Sequence, residues 1–145
     1  MKKMVIPNEI LLGEVSDMLA SGMEVIIMTK GYSMLPFIIG DRDSVKLKKM
    51  ESADIGDIVL AEISKGRYVL HRVLEKDGDN ITLMGDGNLR GTESCKAADI
   101  RGTVTEIITP SGRQKRVTDG KIWRKLMPVR RIILAIYRRI IKLCV

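Results

Sequence analysis

Between residues 23 and 108 the chain is cut into short pieces by glycine and aspartate, and this punctuation limits the fold more than any other feature. Gly40-Asp41-Arg42-Asp43, Ile55-Gly56-Asp57, Lys65-Gly66, Asp77-Gly78-Asp79-Asn80 and Gly85-Asp86-Gly87-Asn88 are turn sequences. Between them lie short apolar or alternating runs at 23–28, 44–48, 58–63, 68–74, 81–84 and 100–108. The joints carry hairpin chemistry, Asp77-Gly78-Asp79-Asn80 most strongly. The expected fold is therefore mainly β: a small, coiled, largely antiparallel domain. There is no repeat and no low-complexity segment.

The two ends read differently. Asn8 is placed to cap a helix, and Ile10, Leu11, Val15, Met18 and Leu19 recur at helical spacing until Ser21-Gly22. A helix-turn-helix does not fit before residue 22, which argues against the DNA-binding half of a repressor. Pro110-Ser111-Gly112 closes the β part, and Pro128 suits the first turn of a second helix. Three segments result: an N-terminal helix over 1–22, a β domain over 23–109 and a helical tail over 110–145.

Charge follows the same division. The net charge is +7, but residues 121–145 hold eight Lys and Arg and no acid. Residues 1–120 hold 17 basic and 18 acidic side chains, so the body is nearly neutral and the composition does not point to nucleic acid. On a helical wheel of 130–145, Arg131, Arg138, Arg139 and Lys142 share one arc, and Ile132, Ile133, Ile136, Tyr137, Ile140, Ile141, Leu143 and Val145 fill most of the rest. Such a helix is expected to lie in a membrane interface as a peripheral contact. No run of about 18 apolar residues occurs and no signal-peptide apolar region follows Met1-Lys2-Lys3, so a cytoplasmic protein without a spanning helix is expected. Cys95 and Cys144 fit no metal spacing, and with one histidine there is no zinc set; free thiols are the default reading.

The chemistry centres on Gly31-Tyr32-Ser33-Met34-Leu35-Pro36 and on His71, the single histidine. Gly31 breaks the strand before it and Pro36 fixes the chain after it, which holds Ser33 on rigid backbone at a strand end. A serine hydroxyl needs a base to become a nucleophile, and neutral imidazole suits that task near pH 7. Asp41 and Asp57 read as turn-formers, and Lys46, Lys48 and Lys49 as a solvated strand face.

Four pieces stand in order: Gly31-x-Ser33-Met34-x-Pro36, Gly40-Asp41, Gly56-Asp57-Ile58-Val59, and His71-Arg72-Val73 followed by Gly85-Asp86-Gly87-Asn88. The series resembles the type I signal peptidase and LexA-like superfamily of serine peptidases over roughly residues 22–108. The histidine after the Tyr-Val-Leu strand resembles the serine–histidine branch of endoplasmic-reticulum and sporulation signal peptidases. The resemblance implies a LexA-like β fold, Ser33 as nucleophile, His71 as general base and Asp86 as the acidic partner of the histidine. Glu93, or no third residue at all, is the other option. Gly31 stands where many relatives have a hydroxyl residue, which leaves more of the oxyanion role to the Ser33 N–H. The implied reaction is endopeptidase cleavage of leader-type peptides, without metal or cofactor, on an extended substrate docked as an added strand. The alternative is an inactive peptide-binding or scaffold protein on the same fold; a self-processing regulator is disfavoured by histidine in place of lysine.

Overall fold

The computed structural model describes residues 2–5, 9–88, 90–126 and 129–144. Asn8, expected to cap the first helix, lies outside them, as do Pro128 and Val145 of the expected last helix. The strands are β1 (Lys2–Val5), β2 (Val25–Met28), β3 (Ser44–Lys48), β4 (Ile58–Ser64), β5 (Arg67–Asp77), β6 (Asn80–Met84), β7 (Glu93–Lys96), β8 (Ile100–Ile108) and β9 (Gln114–Arg116). The helices are α1 (Glu9–Ala20), α2 (Lys121–Lys125) and α3 (Arg130–Cys144). Among the described residues the strands form one sheet in the order β1-β2-β3-β8-β4-β5-β6-β7, with β9 on β8. The described pairings are antiparallel except β1 with β2. The protein is thus mainly antiparallel β with helices toward both ends.

Turn chemistry and side-chain period explain this layout. Gly78, at φ 59°, lets a two-residue loop join Asp77 to its partner Asn80, and so sets the register of β5 on β6. Strand β8 is long enough to serve two neighbours: residues 100–103 pair with β4 and residues 103–108 with β3. Register breaks along β3/β8, β4/β8 and β5/β6 bend the sheet instead of leaving it flat.

Three apolar clusters hold the chain. In the first, Val15 and Leu19 of α1 pack on Val25, Ile27, Val45, Leu47, Val104 and Ile107, and the cluster extends to Met34 and Ile38 beside Ser33. In the second, Val59, Val73, Ile81 and Leu83 pack across β4, β5 and β6. In the third, Leu35 meets Trp123, Leu134 and Ile141. Each fully buried Leu or Ile is worth about 1.5–3 kcal/mol relative to exposure. The third cluster therefore fastens α2 and one face of α3 to the loop that carries Ser33. No helix among the described residues is long and apolar enough to cross a membrane.

Candidate active site

The loop that carries Ser33 leaves β2 and is closed at its base by backbone. Thr29 donates its N–H to the Asp43 carbonyl at 3.0 Å and its hydroxyl to the same oxygen at 2.9 Å, and Asp41 N–H donates to the Thr29 carbonyl at 2.8 Å. The buried Asp43 carboxylate accepts the Ile39 N–H at 2.9 Å. Gly40 seals the crossing, since a Cβ there would stand 1.9 Å from the Gly31 carbonyl oxygen. Within the loop Phe37 and Ile38 both donate to the Met34 carbonyl at 3.0 Å. Buried Met34, Leu35 and Ile38 anchor the turn, and Ser33 remains half-buried at its rim. Asp41 takes a left-handed φ of 64°, and Asp57 accepts the Asp54 N–H at 2.8 Å, so both shape turns.

The Gly85-Asp86-Gly87-Asn88 turn lies directly against Ser33. Gly87 N–H donates to the Ser33 carbonyl at 2.7 Å. A Cβ on Gly87 would stand 2.2 Å from the Tyr32 carbonyl oxygen. A Cβ on Gly85 would meet the Ser33 carbonyl oxygen at 2.4 Å and His71 Cδ2 at 3.1 Å. Both glycines are therefore required by close approach, and the Gly85 position brings the serine backbone and the imidazole to one spot. Among the described residues, no hydrogen bond joins the Ser33 hydroxyl to His71.

Residues His71 and Arg72 are neighbours on β5, so their side chains leave opposite faces. His71 is buried, and its Nδ1–H donates to Glu93 Oε1 of β7, a side chain 21% exposed. In the neutral ring this contact selects the tautomer with the proton on Nδ1 and leaves the lone pair on Nε2, whose neighbour Cδ2 lies on the Gly85 side of the ring. Arg72 takes the other acid. Its Nε lies 2.9 Å from Asp86 Oδ1 and its Nη2 2.7 Å from Oδ2, while Nη1 donates to the Gly56 and Thr118 carbonyls. Asp86, expected as the acidic partner of His71, thus faces a guanidinium on the opposite side of the strand. The carboxylate beside the imidazole is Glu93.

Further residues hold the turn from behind. Trp123 Nε1–H and Arg130 Nη2–H donate to the Asp86 carbonyl at 2.7 and 3.1 Å. Arg130 Nη2 also reaches the Asn88 carbonyl at 2.7 Å, and Arg138 Nη2 the Gly87 carbonyl at 3.1 Å. Burial pushes the Arg130 guanidinium below its ordinary value, and the Asp86 carboxylate pulls it partly back. Sequence reading assigned none of these roles to Arg72, Trp123, Arg130 or Arg138. On the 130–145 wheel Arg130 stands apart from the arc of Arg131, Arg138, Arg139 and Lys142, which is its one local signal.

An apolar cleft of about 240 Å³ opens at Ser33. Ile27 and Met28 of β2, Val69 and Leu70 of β5, and Met34 and Ile38 of the serine loop line it together with Ser33. Residues 67–71 of β5 pair with β4 on one side, whereas β6 begins only opposite Arg72. Among the described residues, the edge of β5 along the cleft is therefore unpaired. No family model matches the chain.

Proposed function

We propose that the chain is a signal-peptidase-like serine endopeptidase on a LexA-like β fold, with Ser33 as nucleophile, His71 as general base and Glu93 as the carboxylate that orients the imidazole. The observation that carries this reading is the His71 ring: Nδ1 is bonded to Glu93, and the opposite edge adjoins the Ser33 backbone across Gly85. Nε2 takes the hydroxyl proton as Ser33 Oγ attacks a peptide carbonyl, and Glu93 stabilises the imidazolium that forms. Among the described residues the Ser33 N–H donates to no carbonyl, so it is available to the oxyanion. The imidazolium then protonates the leaving amine, and water, deprotonated by the same nitrogen, releases the acyl group. Base catalysis of this kind supplies about 10²–10⁴-fold, and an oxyanion donor about 10²–10³-fold.

The cleft supports one class of substrate. An extended peptide adds along residues 67–71 of β5, its backbone pairing with the free edge and an apolar side chain entering the cleft between β2 and β5. A leader-type peptide with small apolar residues near the scissile bond suits such a slot. A serine-reactive peptidyl phosphonate tests the assignment: intact mass should rise by one adduct, mapped to Ser33. The adduct should vanish in Ser33→Ala and His71→Ala, both of which keep the wild-type circular dichroism spectrum. A folded wild-type protein that takes no label, or peptide cleavage that survives either substitution, would overturn it.

A further inference from the structure

Helix α3 presents three distinct strips. One faces the body: Arg130, Leu134 and Ile141 are buried there, against Leu35 and Trp123. The second is a row of Ile132, Ile136, Ile140 and Leu143, exposed by 63%, 52%, 51% and 82%. Spacings of three and four residues place these side chains in one line about 16 Å long. The third strip flanks that row and carries exposed Arg131, Arg139 and Lys142. Four large aliphatic side chains side by side in water are uncommon on a free surface, and a basic border on such a row is the pattern of a helix that lies in a bilayer interface.

We propose that α3 docks the protein on an anionic membrane surface: the Ile132/Ile136/Ile140/Leu143 row enters the acyl boundary while Arg131, Arg139 and Lys142 rest among the head groups. Charge selects this occupant. Residues 121–145 contain no acid, so a second copy meeting the row would bring basic borders together without neutralisation. An anionic lipid surface supplies the missing sign. The body-facing strip stays engaged in this arrangement, because Arg130 and Arg138 remain on the carbonyls of residues 86–88. The inference does not depend on whether Ser33 is a nucleophile.

Co-sedimentation of the full chain with phosphatidylglycerol/phosphatidylcholine vesicles tests it, with pure phosphatidylcholine vesicles as reference. Binding is expected to the anionic vesicles alone and to weaken with salt. The triple variant Arg131→Gln/Arg139→Gln/Lys142→Gln should bind on the order of a hundredfold more weakly, at about fivefold per cation. Ile136→Ser/Ile140→Ser should lose about as much, at roughly tenfold per side chain, with an unchanged melting temperature and circular dichroism spectrum. Wild-type protein that stays in the supernatant with anionic vesicles would overturn the proposal. So would full binding by the isoleucine double variant, or a solution dimer that Ile136→Ser dissociates in protein that does not bind vesicles.

Discussion

Substituting the two carboxylates near the site, one at a time, separates chemistry from architecture. Asp86 and Arg72 form a pair whose side chains are 5% and 3% exposed. Asp86→Asn removes the charge that balances the guanidinium and turns an amide N–H or a single carbonyl toward it. Breaking a buried pair costs about 3–5 kcal/mol. Arg72 keeps two carbonyl acceptors, those of Gly56 and Thr118, so the lower end applies, about 3 kcal/mol. A domain of this length loses about 2–4 °C per kcal/mol, which puts the fall in melting temperature at about 6–12 °C. Arg72→Met/Asp86→Leu should recover part of the loss, with the double-mutant cycle giving the coupling. Glu93→Gln behaves oppositely. It lies at a partly exposed strand end and its amide oxygen still accepts from Nδ1, so the melting temperature should move by no more than about 3 °C, while kcat/KM on a cleaved peptide falls by about 10²–10⁴. Thermal unfolding by circular dichroism and peptide turnover on the same preparations decide the matter. An Asp86→Asn protein with an unchanged melting temperature and no turnover, or a Glu93→Gln protein with wild-type turnover, would refute this division of roles.

Two further outcomes follow from close contacts and burial. Gly87→Ala forces a methyl to 2.2 Å from the Tyr32 carbonyl oxygen, so it should destabilise by about 1–3 kcal/mol and abolish labelling of Ser33, whereas Gly13→Ala in α1, where the added Cβ meets only the Tyr68 hydroxyl at 3.9 Å, should stabilise by about 0.5–1 kcal/mol; urea titration reads both, and equal effects would show that the turn is not held against the serine. Burial pushes the Cys95 thiol up from its ordinary value, which depletes the reactive thiolate at neutral pH, so in a Cys144→Ser background an aromatic disulfide reagent should react slowly with native protein and fast in denaturant; rapid native reaction would show that the second cluster opens.

What could be read from the sequence was whatever carried its own local signal. Strands β2 to β6 and β8 have apolar alternation or runs bounded by glycine turns, and their positions follow from that. Glu93-Ser94-Cys95-Lys96 and Gln114-Lys115-Arg116 have almost no apolar period; they are strands because β6 and β8 offer them ladders. Lys2–Val5 is held in the same way by β2. Ser33 and His71 stood out because rigid backbone and a single imidazole are local facts. The partner of that imidazole is not local. Asp86 and Glu93 both lie shortly after β6, and only the alternation of β5, with His71 on one face and Arg72 on the other, decides which carboxylate meets the imidazole and which the guanidinium. The tail carries a similar ambiguity: a wheel that is apolar over most of its circumference does not distinguish the strip that packs on Leu35 from the strip left in water.

That ambiguity matters for what counts as the functional unit. The proposed nucleophile is placed by its own loop and by the Gly87 N–H on its carbonyl. The turn that supplies this N–H presents the carbonyls of Asp86, Gly87 and Asn88 away from Ser33, and donors from Trp123, Arg130 and Arg138 take all three. Without those donors three backbone acceptors would face an apolar interface, at about 1–3 kcal/mol for each one left buried and unsatisfied. Leu35, two residues from the serine, would also lose its cover by Trp123, Leu134 and Ile141. The C-terminal helices are therefore the back wall of the candidate site. Helix α3 carries both the Arg130 and Arg138 donors of that wall and, on another face, the exposed isoleucine row, so a substitution that displaces α3 also removes donors from the turn against which Ser33 is set.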